Sequence, residues 1–220
     1  MPEQPHMRQF LLYVFVLLVP CFVIWTTFGG SLGAPAIGLV SQCLSNWFPT
    51  VVDALYLDGS NALLMTRFGE NNGEAVPLAE AEYQLGFRVN PMIVTVSLPF
   101  YTVLHFATQR DTYLGSYLYG LIILYLLTVF GLLCLCLKEL MVNLGGTFFE
   151  QPDVFVPNAD VIGILYQFNV LIVPTLAPAI IWIWQGRNTP LLRASLGVVA
   201  NNKIQDDKSG SPLLRKQSSD

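Results

Sequence analysis

The sequence predicts a membrane protein, an all-α bundle of about four transmembrane helices with a small extracytoplasmic antiparallel β insertion. Of its 220 residues, 53% are hydrophobic and only 12% are charged, against about 25% charge in soluble globular proteins. Four long stretches are almost free of charge, and short alternating segments lie between the first two. This composition argues against a disordered chain, a nucleic-acid-binding protein and an ordinary cytosolic enzyme.

The four apolar stretches are Phe10–Phe28, Met92–Thr108, Tyr113–Leu137 and Val161–Trp184. A membrane-spanning helix needs about 20 mostly apolar residues, which the second stretch barely reaches. That stretch also carries an ionisable group, His105. The first stretch exceeds the roughly 7–15 apolar residues of a signal peptide, which favours a retained anchor over a cleaved leader.

The basic residues predict the orientation, because Lys and Arg collect in cytoplasmic loops. With the N-terminus inside, the cytoplasmic pieces hold eight of the eleven basic residues, and the outer pieces hold Arg67, Arg88 and Lys138. The eight are Arg8, Arg110, Arg187, Arg193, Lys203, Lys208, Arg215 and Lys216. Ten of the fifteen acidic residues fall outside. We therefore expect both termini in the cytoplasm and an even number of crossings of a plasma membrane.

This orientation divides the chain into four parts. Residues 1–28 form the N-terminal tail and first helix, and residues 29–91 form an extracytoplasmic helix and sheet. Residues 92–184 hold the other three spans, with an outer loop at 138–160. The polar segment 185–220 has few large apolar residues and is expected to be a mostly disordered cytoplasmic tail.

Ser31–Phe48 has apolar residues at helical spacing with polar residues between them. The apolar positions are Leu32, Pro35/Ala36, Leu39/Val40, Cys43/Leu44 and Trp47. This pattern favours an amphipathic helix in the outer interface. A re-entrant hairpin and a fifth span remain open.

A small β-sheet is predicted after this helix. Ala54–Leu57 and Ala62–Phe68 flank the turn Asp58–Asn61, which contains Asp-Gly and is typical of a β-hairpin. Glu70–Glu74 is expected to be a loop, and apolar residues alternate with more polar ones in Glu82–Val89. We therefore expect three strands.

The outer segment 138–160 begins with residues that can prolong the third span. Lys138–Leu144 continues the helical pattern for two turns, and Gly145–Gly146 is expected to stop it. Pro152 and Pro157 favour an extended chain beyond that point.

No residue set in the sequence predicts catalysis, a cofactor or a metal site. Three of the four cysteines, Cys21, Cys134 and Cys136, lie in apolar spans, and Cys43 lies outside without an evident partner. A nucleophilic cysteine needs a neighbouring base, and the predicted topology puts His105 near the opposite membrane face from Cys136. The composition predicts the lipid bilayer as a partner and no nucleic acid.

The last span contains two amides and two prolines in an apolar context. Gln167 and Asn169 are expected to hydrogen-bond neighbouring helices, because an unpaired amide in lipid is costly. Pro174 and Pro178 are expected to bend the helix. Transporters bind substrates at such breaks, so a small transporter or channel subunit is the alternative function.

On the outer side, Arg67 and Arg88 lie on predicted strands, and Asn90–Pro91 joins the sheet to the second span. These residues are candidates for partner contact. A solvated loop without a recognition role is the other interpretation.

Five stretches together resemble the exosortase H-associated membrane proteins, small bacterial multi-span proteins. They are Met7–Phe15, Thr66–Gly69, Phe87–Pro91, Leu165–Phe168 and Pro174–Pro178. The resemblance runs from about Met7 to Trp184 and leaves out the tail.

The resemblance implies a non-enzymatic accessory role in protein sorting at the bacterial inner membrane. Such proteins occur beside an exosortase, a membrane cysteine protease of transpeptidase type that cuts C-terminal sorting signals. The implied partner is an exosortase or its sorted substrate protein. None of the cysteines here is followed by the Ala/Ser-Gly that accompanies an exosortase nucleophile.

Overall fold

The computed structural model describes residues 4–71, 73–108, 113–152, 154–187 and 189, and the structural statements below concern these residues. Its elements, in chain order, are α1 Gln4–Trp47, β1 Val52–Asp58, β2 Asn61–Asn71, β3 Glu74–Pro77, β4 Tyr83–Val89, α2 Met92–Thr95, α3 Ser97–Ala107, α4 Tyr113–Leu144, α5 Gly146–Phe149, α6 Ala159–Gln167 and α7 Val173–Gly186. A single 3₁₀ turn, Leu78–Glu80, separates β3 from β4, and a π-helical segment, Phe168–Ile172, joins α6 to α7. We call the end of the helices that carries the sheet the sheet side.

Three helices of the described part are long and apolar enough to cross a membrane: α1, α4 and the continuous stretch Ala159–Gly186. The second predicted span is a shorter apolar helical segment, Met92–Ala107, formed by α2 and α3. At 1.5 Å per residue it is about 24 Å long, less than the ~30 Å of a hydrocarbon core. The fourth crossing therefore stays a prediction.

The helix predicted at Ser31–Phe48 is present, but it is not a separate interfacial element. It continues the first span without a break, so that α1 has 44 residues. Its buried face includes Ala36, Val40 and Leu44 at helical spacing, as the sequence predicted. That face packs against the sheet.

The predicted hairpin is confirmed, and the sheet has one strand more than predicted. Asp58 pairs with Asn61 across the turn, where Gly59 adopts φ +62°, a conformation that favours glycine. The three-strand prediction is wrong because β2 continues to Asn71 and β3 pairs with residues expected to form a loop. All pairings are antiparallel: β1 and β3 follow each other along one edge of β2, and β4 occupies the other.

Close contacts fix the sheet on the second half of α1. The hairpin tip lies against Gly30, where an added Cβ would come within 2.9 Å of the Ser60 Cα. Higher on the helix, Ser41 Oγ accepts the Leu55 backbone N–H at 3.0 Å. The helix thereby binds a donor on the outward edge of β1, which would otherwise be an unpaired edge strand.

The predicted extension of the third span is confirmed. The helix α4 runs to Leu144 and stops at Gly145, whose φ of +52° few other residues adopt. The following loop packs on the end of α1, because Trp47 Nε1 donates to the Phe155 carbonyl at 3.1 Å.

Two groups of buried apolar side chains hold the chain together. The larger lies on the sheet side between α1, the sheet, α4 and α6, and includes Phe48, Leu64, Leu140 and Ile162. The smaller lies near the opposite end of the helices and consists of Tyr101, Leu124 and Ile181 with partly buried neighbours. The helix α4 contacts every other long helix and is the centre of the bundle.

The last long helix is irregular at the predicted proline. Val173 N–H donates to the Phe168 carbonyl, an i→i−5 bond, directly before Pro174. Proline cannot donate a backbone hydrogen bond, and such π segments recur where a helix is interrupted. The helix α7 ends at Gly186, and residues 190–220 of the predicted tail lie outside the described residues.

Candidate functional site

The two candidate arginines lie on the solvent face of the sheet. Arg88 pairs with Leu63 across β4 and β2, so both side chains point to one face, and Arg67 follows four residues later on β2. At ~3.3 Å per residue the two arginines are separated by about 13 Å along the strand. Arg88 approaches Asp58 to 4.0 Å, with both side chains exposed, and such pairs contribute at most about 1 kcal/mol.

Two hydrogen bonds and packing on α1 shape the junction between the sheet and α2. Asn90 Oδ1 accepts the Met92 N–H at 2.9 Å, and the Pro91 carbonyl accepts the Thr95 N–H at 3.1 Å. Pro91 is buried against α1, where a Cβ on Gly33 would lie 3.5 Å from the Pro91 Cβ. The candidate residues Asn90 and Pro91 thus fix the direction in which the chain leaves the sheet.

In the last long helix the amide side chains of Asn169 and Gln167 have different surroundings. Asn169 is 1% exposed, and its Nδ2 donates to the Leu165 carbonyl at 2.8 Å and to Cys134 Sγ at 3.6 Å. Its Oδ1 is buried and has no hydrogen-bond partner among the described residues. Gln167, two residues earlier, is exposed on the surface of the single chain. Asn169 therefore links the last helix to α4, while Gln167 does not contact a neighbouring helix by a described hydrogen bond.

The two candidate prolines are both buried. Pro174 follows the π-helical segment, and Pro178 lies one turn further inside α7. Within the π-helical segment Asn169 is buried, whereas Phe168, Leu171 and Ile172 are exposed on the surface of the single chain.

A polar and aromatic cluster near the end of the helices opposite the sheet was not predicted. Tyr101 Oη donates to Gln185 Oε1 at 2.8 Å, and Gln185 Nε2 donates to the Ser116 carbonyl at 2.9 Å. His105 is fully buried beside Tyr101 and Tyr117, with ring centroids 5.6 and 5.2 Å away. His105, from the second predicted span, is therefore enclosed by protein, with aromatic rings on two sides.

The sequence contains one signal for this cluster. Tyr101 and His105 are four residues apart, which puts them on one face of α3. Their partners come from α4 and α7, at distant positions in the chain, and no local pattern predicts these contacts.

All four cysteines are described and free. Cys134 and Cys136 are buried, Cys21 is half-buried and Cys43 is exposed. In the described part, the Asn169 amide donates a hydrogen bond to Cys134 Sγ, and an amide is neither a base nor a cation. In the described part, no group of three His, Cys, Asp or Glu residues could hold a metal ion.

These features define a multi-span membrane protein in which a small sheet packs on α1 at the sheet side. The chain belongs to the exosortase H-associated membrane proteins, whose family model matches residues 4–189. The match extends from the start of α1 past the end of α7, and it confirms the resemblance read from the sequence. No curated protein and no solved structure matches the chain.

Proposed function

We propose that this chain is a non-enzymatic accessory protein of an exosortase-type sorting system in the bacterial inner membrane. The observation that carries the proposal is the family match over residues 4–189, a family described as associated with exosortase H. In the alternative, this chain itself would cut the sorting signal, which requires a cysteine nucleophile beside a base.

The orientation we propose has four crossings, both termini in the cytoplasm and the sheet outside. The fourth crossing is supported by contacts at both ends of the short segment α2–α3. Trp25 Nε1 donates to Thr95 Oγ1 at 3.2 Å near one end, and Trp182 Nε1 donates to Thr108 Oγ1 at 2.7 Å at the other. Phe10 stacks on Trp182, so the short segment covers the same depth as the first span from Phe10 to Trp25.

The distribution of basic residues supports the same orientation. Arg8 and Arg187 lie near the ends of α1 and α7 opposite the sheet, whereas Arg67 and Arg88 lie on the sheet. With all eleven basic residues counted, eight fall on the proposed cytoplasmic side. The sheet then faces the compartment in which secreted proteins are sorted.

The accessory role, as opposed to an enzymatic one, is supported by the surroundings of the cysteines. The described contacts bring neither a histidine nor an arginine to Cys134, and His105 lies in the separate cluster with Tyr101. A cysteine nucleophile requires a lowered pKa or an adjacent base. The sheet is the element we assign to contact with the exosortase or its substrate.

Co-isolation from native membranes tests the proposal. A tagged wild-type chain should isolate together with the exosortase, and deletion of the chain should impair sorting. A chain with alanine at all four cysteine positions should restore sorting to within about twofold. Isolation of the chain alone, with sorting intact in the deletion strain, would remove the accessory role.

A transporter or channel subunit is the second candidate, and one observation favours it. The buried Oδ1 of Asn169, which has no hydrogen-bond partner among the described residues, lies in a π-helical segment. Transporters bind ions and substrates at interrupted helices. If this function holds, reconstituted vesicles should show a flux that Asn169→Leu abolishes. Vesicles with the wild-type chain and no flux would exclude it.

A further inference from the structure

The outer edge of β4 is an open strand edge in the described part of the chain. The strand β4 pairs with β2 along one side, and no described strand lies along its other side. Gly86, in the middle of β4, is exposed, and because glycine has no side chain, the exposed atoms belong to the backbone. The edge of β1 differs, since the Ser41 hydroxyl accepts the Leu55 N–H there. An unpaired strand edge is a template for the addition of another strand.

The register shows which backbone groups of β4 point outward. A two-residue turn closes the first hairpin, so Asp58 and Asn61 exchange hydrogen bonds, and Leu64, three residues further along β2, points towards β4. Leu64 pairs with Phe87, so Phe87 directs its N–H and C=O groups towards β2. Its neighbour Gly86 therefore directs its N–H and C=O groups to the open edge.

A side-chain hydrogen bond agrees with this alternation. The Thr66 hydroxyl donates to the Leu85 carbonyl at 3.0 Å, so Leu85 also points towards β2. Gly86 lies between Leu85 and Phe87, and Arg88 follows with the same orientation as Gly86. The open edge thus offers the backbone groups of alternate residues, about 7 Å apart, which is the repeat that another extended chain can pair with.

The strands run along the axis of α1. The hairpin tip lies against α1 at Gly30, where an added Cβ would approach Ser60, and the Leu55 N–H binds Ser41. From Gly30 to Ser41 a helix rises about 17 Å, and from Ser60 to Leu55 a strand also spans about 17 Å. The strand β4 has the same direction as β1, because both are antiparallel to β2, and it ends at Val89 near the hairpin tip.

This orientation excludes a second copy of the chain on the edge. Two β4 edges that pair antiparallel are related by a two-fold axis perpendicular to the strands. Because the strands follow the first span, that axis would lie in the membrane plane and would invert one copy relative to the bilayer. Two β4 edges that pair parallel about a two-fold axis along the strands would place each N–H group opposite the same N–H group. The edge therefore fits a segment of another polypeptide.

The height of the edge indicates which segment it fits. A perpendicular helix crosses ~30 Å of hydrocarbon with about 20 residues, so a span that begins at Phe10 reaches the other face near Gly30. The hairpin tip lies at Gly30, so β4 extends from the membrane surface into the outer compartment. An extended chain paired with β4 therefore runs along the membrane normal, as does a chain that has just left a transmembrane helix.

We propose that the open edge of β4 binds an extended segment of the sorted substrate by strand addition, directly outside the membrane. This proposal rests on the proposed function, since that function supplies a sorted substrate at the membrane. In such complexes main-chain hydrogen bonds give the affinity, and alternate side chains give the specificity. The edge holds the substrate segment straight beside the membrane, where the exosortase acts on it.

The side chains beside the edge indicate one preference for the substrate segment. A Cβ on Gly86 would lie 2.7 Å from Met65 Sδ, so Gly86 leaves Met65 uncovered on the solvent face of the sheet. A large side chain opposite an edge glycine compensates for the missing one. We therefore expect an aromatic or large apolar residue of the substrate opposite Gly86.

Site-specific photocrosslinking in native membranes tests the proposal. Tyr56, Leu63 and Arg88 lie opposite each other in one row across the sheet, and Tyr56 and Arg88 are both exposed. A strand added to β4 lies about 5 Å from β4 and about 14 Å from β1, at one and three strand spacings. A photocrosslinking amino acid at position 88 should therefore capture a tagged sorted substrate at least about five times more often than one at position 56.

Two substitutions at the edge provide a matched pair. Gly86→Pro removes the outward N–H and no hydrogen bond to β2, whereas Gly86→Ala keeps that N–H. Both add a Cβ beside the flexible Met65 side chain, and proline is tolerated where a strand N–H faces solvent. Both variants should keep the melting temperature within a few degrees. We expect Gly86→Pro to lower capture at position 88 at least about tenfold and Gly86→Ala to stay within about twofold.

Amide hydrogen exchange of the wild-type chain provides a test without a variant. The Gly86 N–H should exchange at least about tenfold more slowly in the complex with the tagged substrate than in the chain alone. The Phe87 N–H should change by less than about twofold, because it already bonds to β2.

Several results would overturn the proposal. They are equal capture at positions 88 and 56, equal capture by the two Gly86 variants, unchanged exchange at Gly86, and capture of only a second copy of the chain at position 88. Failure of the wild-type chain to co-isolate with the exosortase is a separate result, which removes the proposed function. If Gly86→Pro then still abolishes capture of a different protein at position 88, strand addition at β4 stands without the sorting role.

Discussion

Replacing Gly120 by alanine should destabilise the helix bundle, although alanine is the better helix former. Gly120 lies on α4, and an added Cβ would overlap the hydroxyl and ring carbons of Tyr101. Tyr101 is fully buried and donates a hydrogen bond to Gln185 Oε1 at 2.8 Å. The ring cannot move away from the new methyl group without breaking this bond.

The magnitude follows from two opposing effects. Alanine gains up to about 1 kcal/mol over glycine inside a helix. An extra methyl group in a close-packed interior costs about 1–3 kcal/mol, and the atoms met here belong to a ring held from several sides. Loss of the Tyr101 hydrogen bond adds about 0.6 kcal/mol, the average for such bonds in membrane proteins. With the full helix gain subtracted, we expect a net loss of about 0.6–2.6 kcal/mol in the free energy of unfolding.

Equilibrium unfolding in mixed micelles, followed by tryptophan fluorescence, measures this loss. Gly163→Ala on α6 is the control, because an added Cβ there meets no described atom within 4 Å, and it should be neutral or slightly stabilising. In a Tyr101→Ala background the change at Gly120 should no longer destabilise, since the two sites are coupled. Equal stabilisation by both alanine substitutions would refute the packing of α3 on α4.

Three further outcomes are expected. Asn169→Leu should change the free energy of unfolding by less than about 1 kcal/mol, because it removes a buried oxygen without a described partner together with two hydrogen bonds. A loss above about 3 kcal/mol in the same unfolding assay would contradict the small expected change. Gly30→Ala should destabilise the packing of the hairpin turn at Ser60 against α1 by about 1–3 kcal/mol. This loss should be measured as faster amide hydrogen exchange in β1 and β2. Unchanged exchange would argue against this contact. The Glu70 hydrogen bond raises the pKa of Tyr83, so Glu70→Gln should lower it, as followed by phenolate absorbance, and an unchanged titration would exclude the contact. Because the pKa of Tyr83 is raised on folding, the protonated phenol stabilises the folded state fully at neutral pH. This stabilisation is lost as the pH rises through the folded-state pKa.

The parts of the fold that could be predicted from the sequence depend on local signals. The hairpin follows from Asp58-Gly59 between alternating apolar residues, and the end of α4 follows from Gly145. The family resemblance rests on stretches that lie in α1, in and beside the sheet, and in the last helix. In each case neighbouring residues determine the local conformation.

The remaining features depend on contacts between distant residues. The sequence predicts that the first span ends at Phe28, yet α1 continues to Trp47, and Gly30 within it lies against the hairpin tip. The strand β3 lies in a polar segment with little β propensity, and its pairing with β2 establishes it. The cluster around Tyr101 requires partners from two other helices.

The continuity of α1 bears on how the sheet can act. The sheet touches this helix at Gly30 through the hairpin tip, at Ser41 through an edge hydrogen bond and at Gly33 through Pro91. Because these contacts lie on the same helix that forms the first span, we expect the sheet to keep its orientation relative to that span.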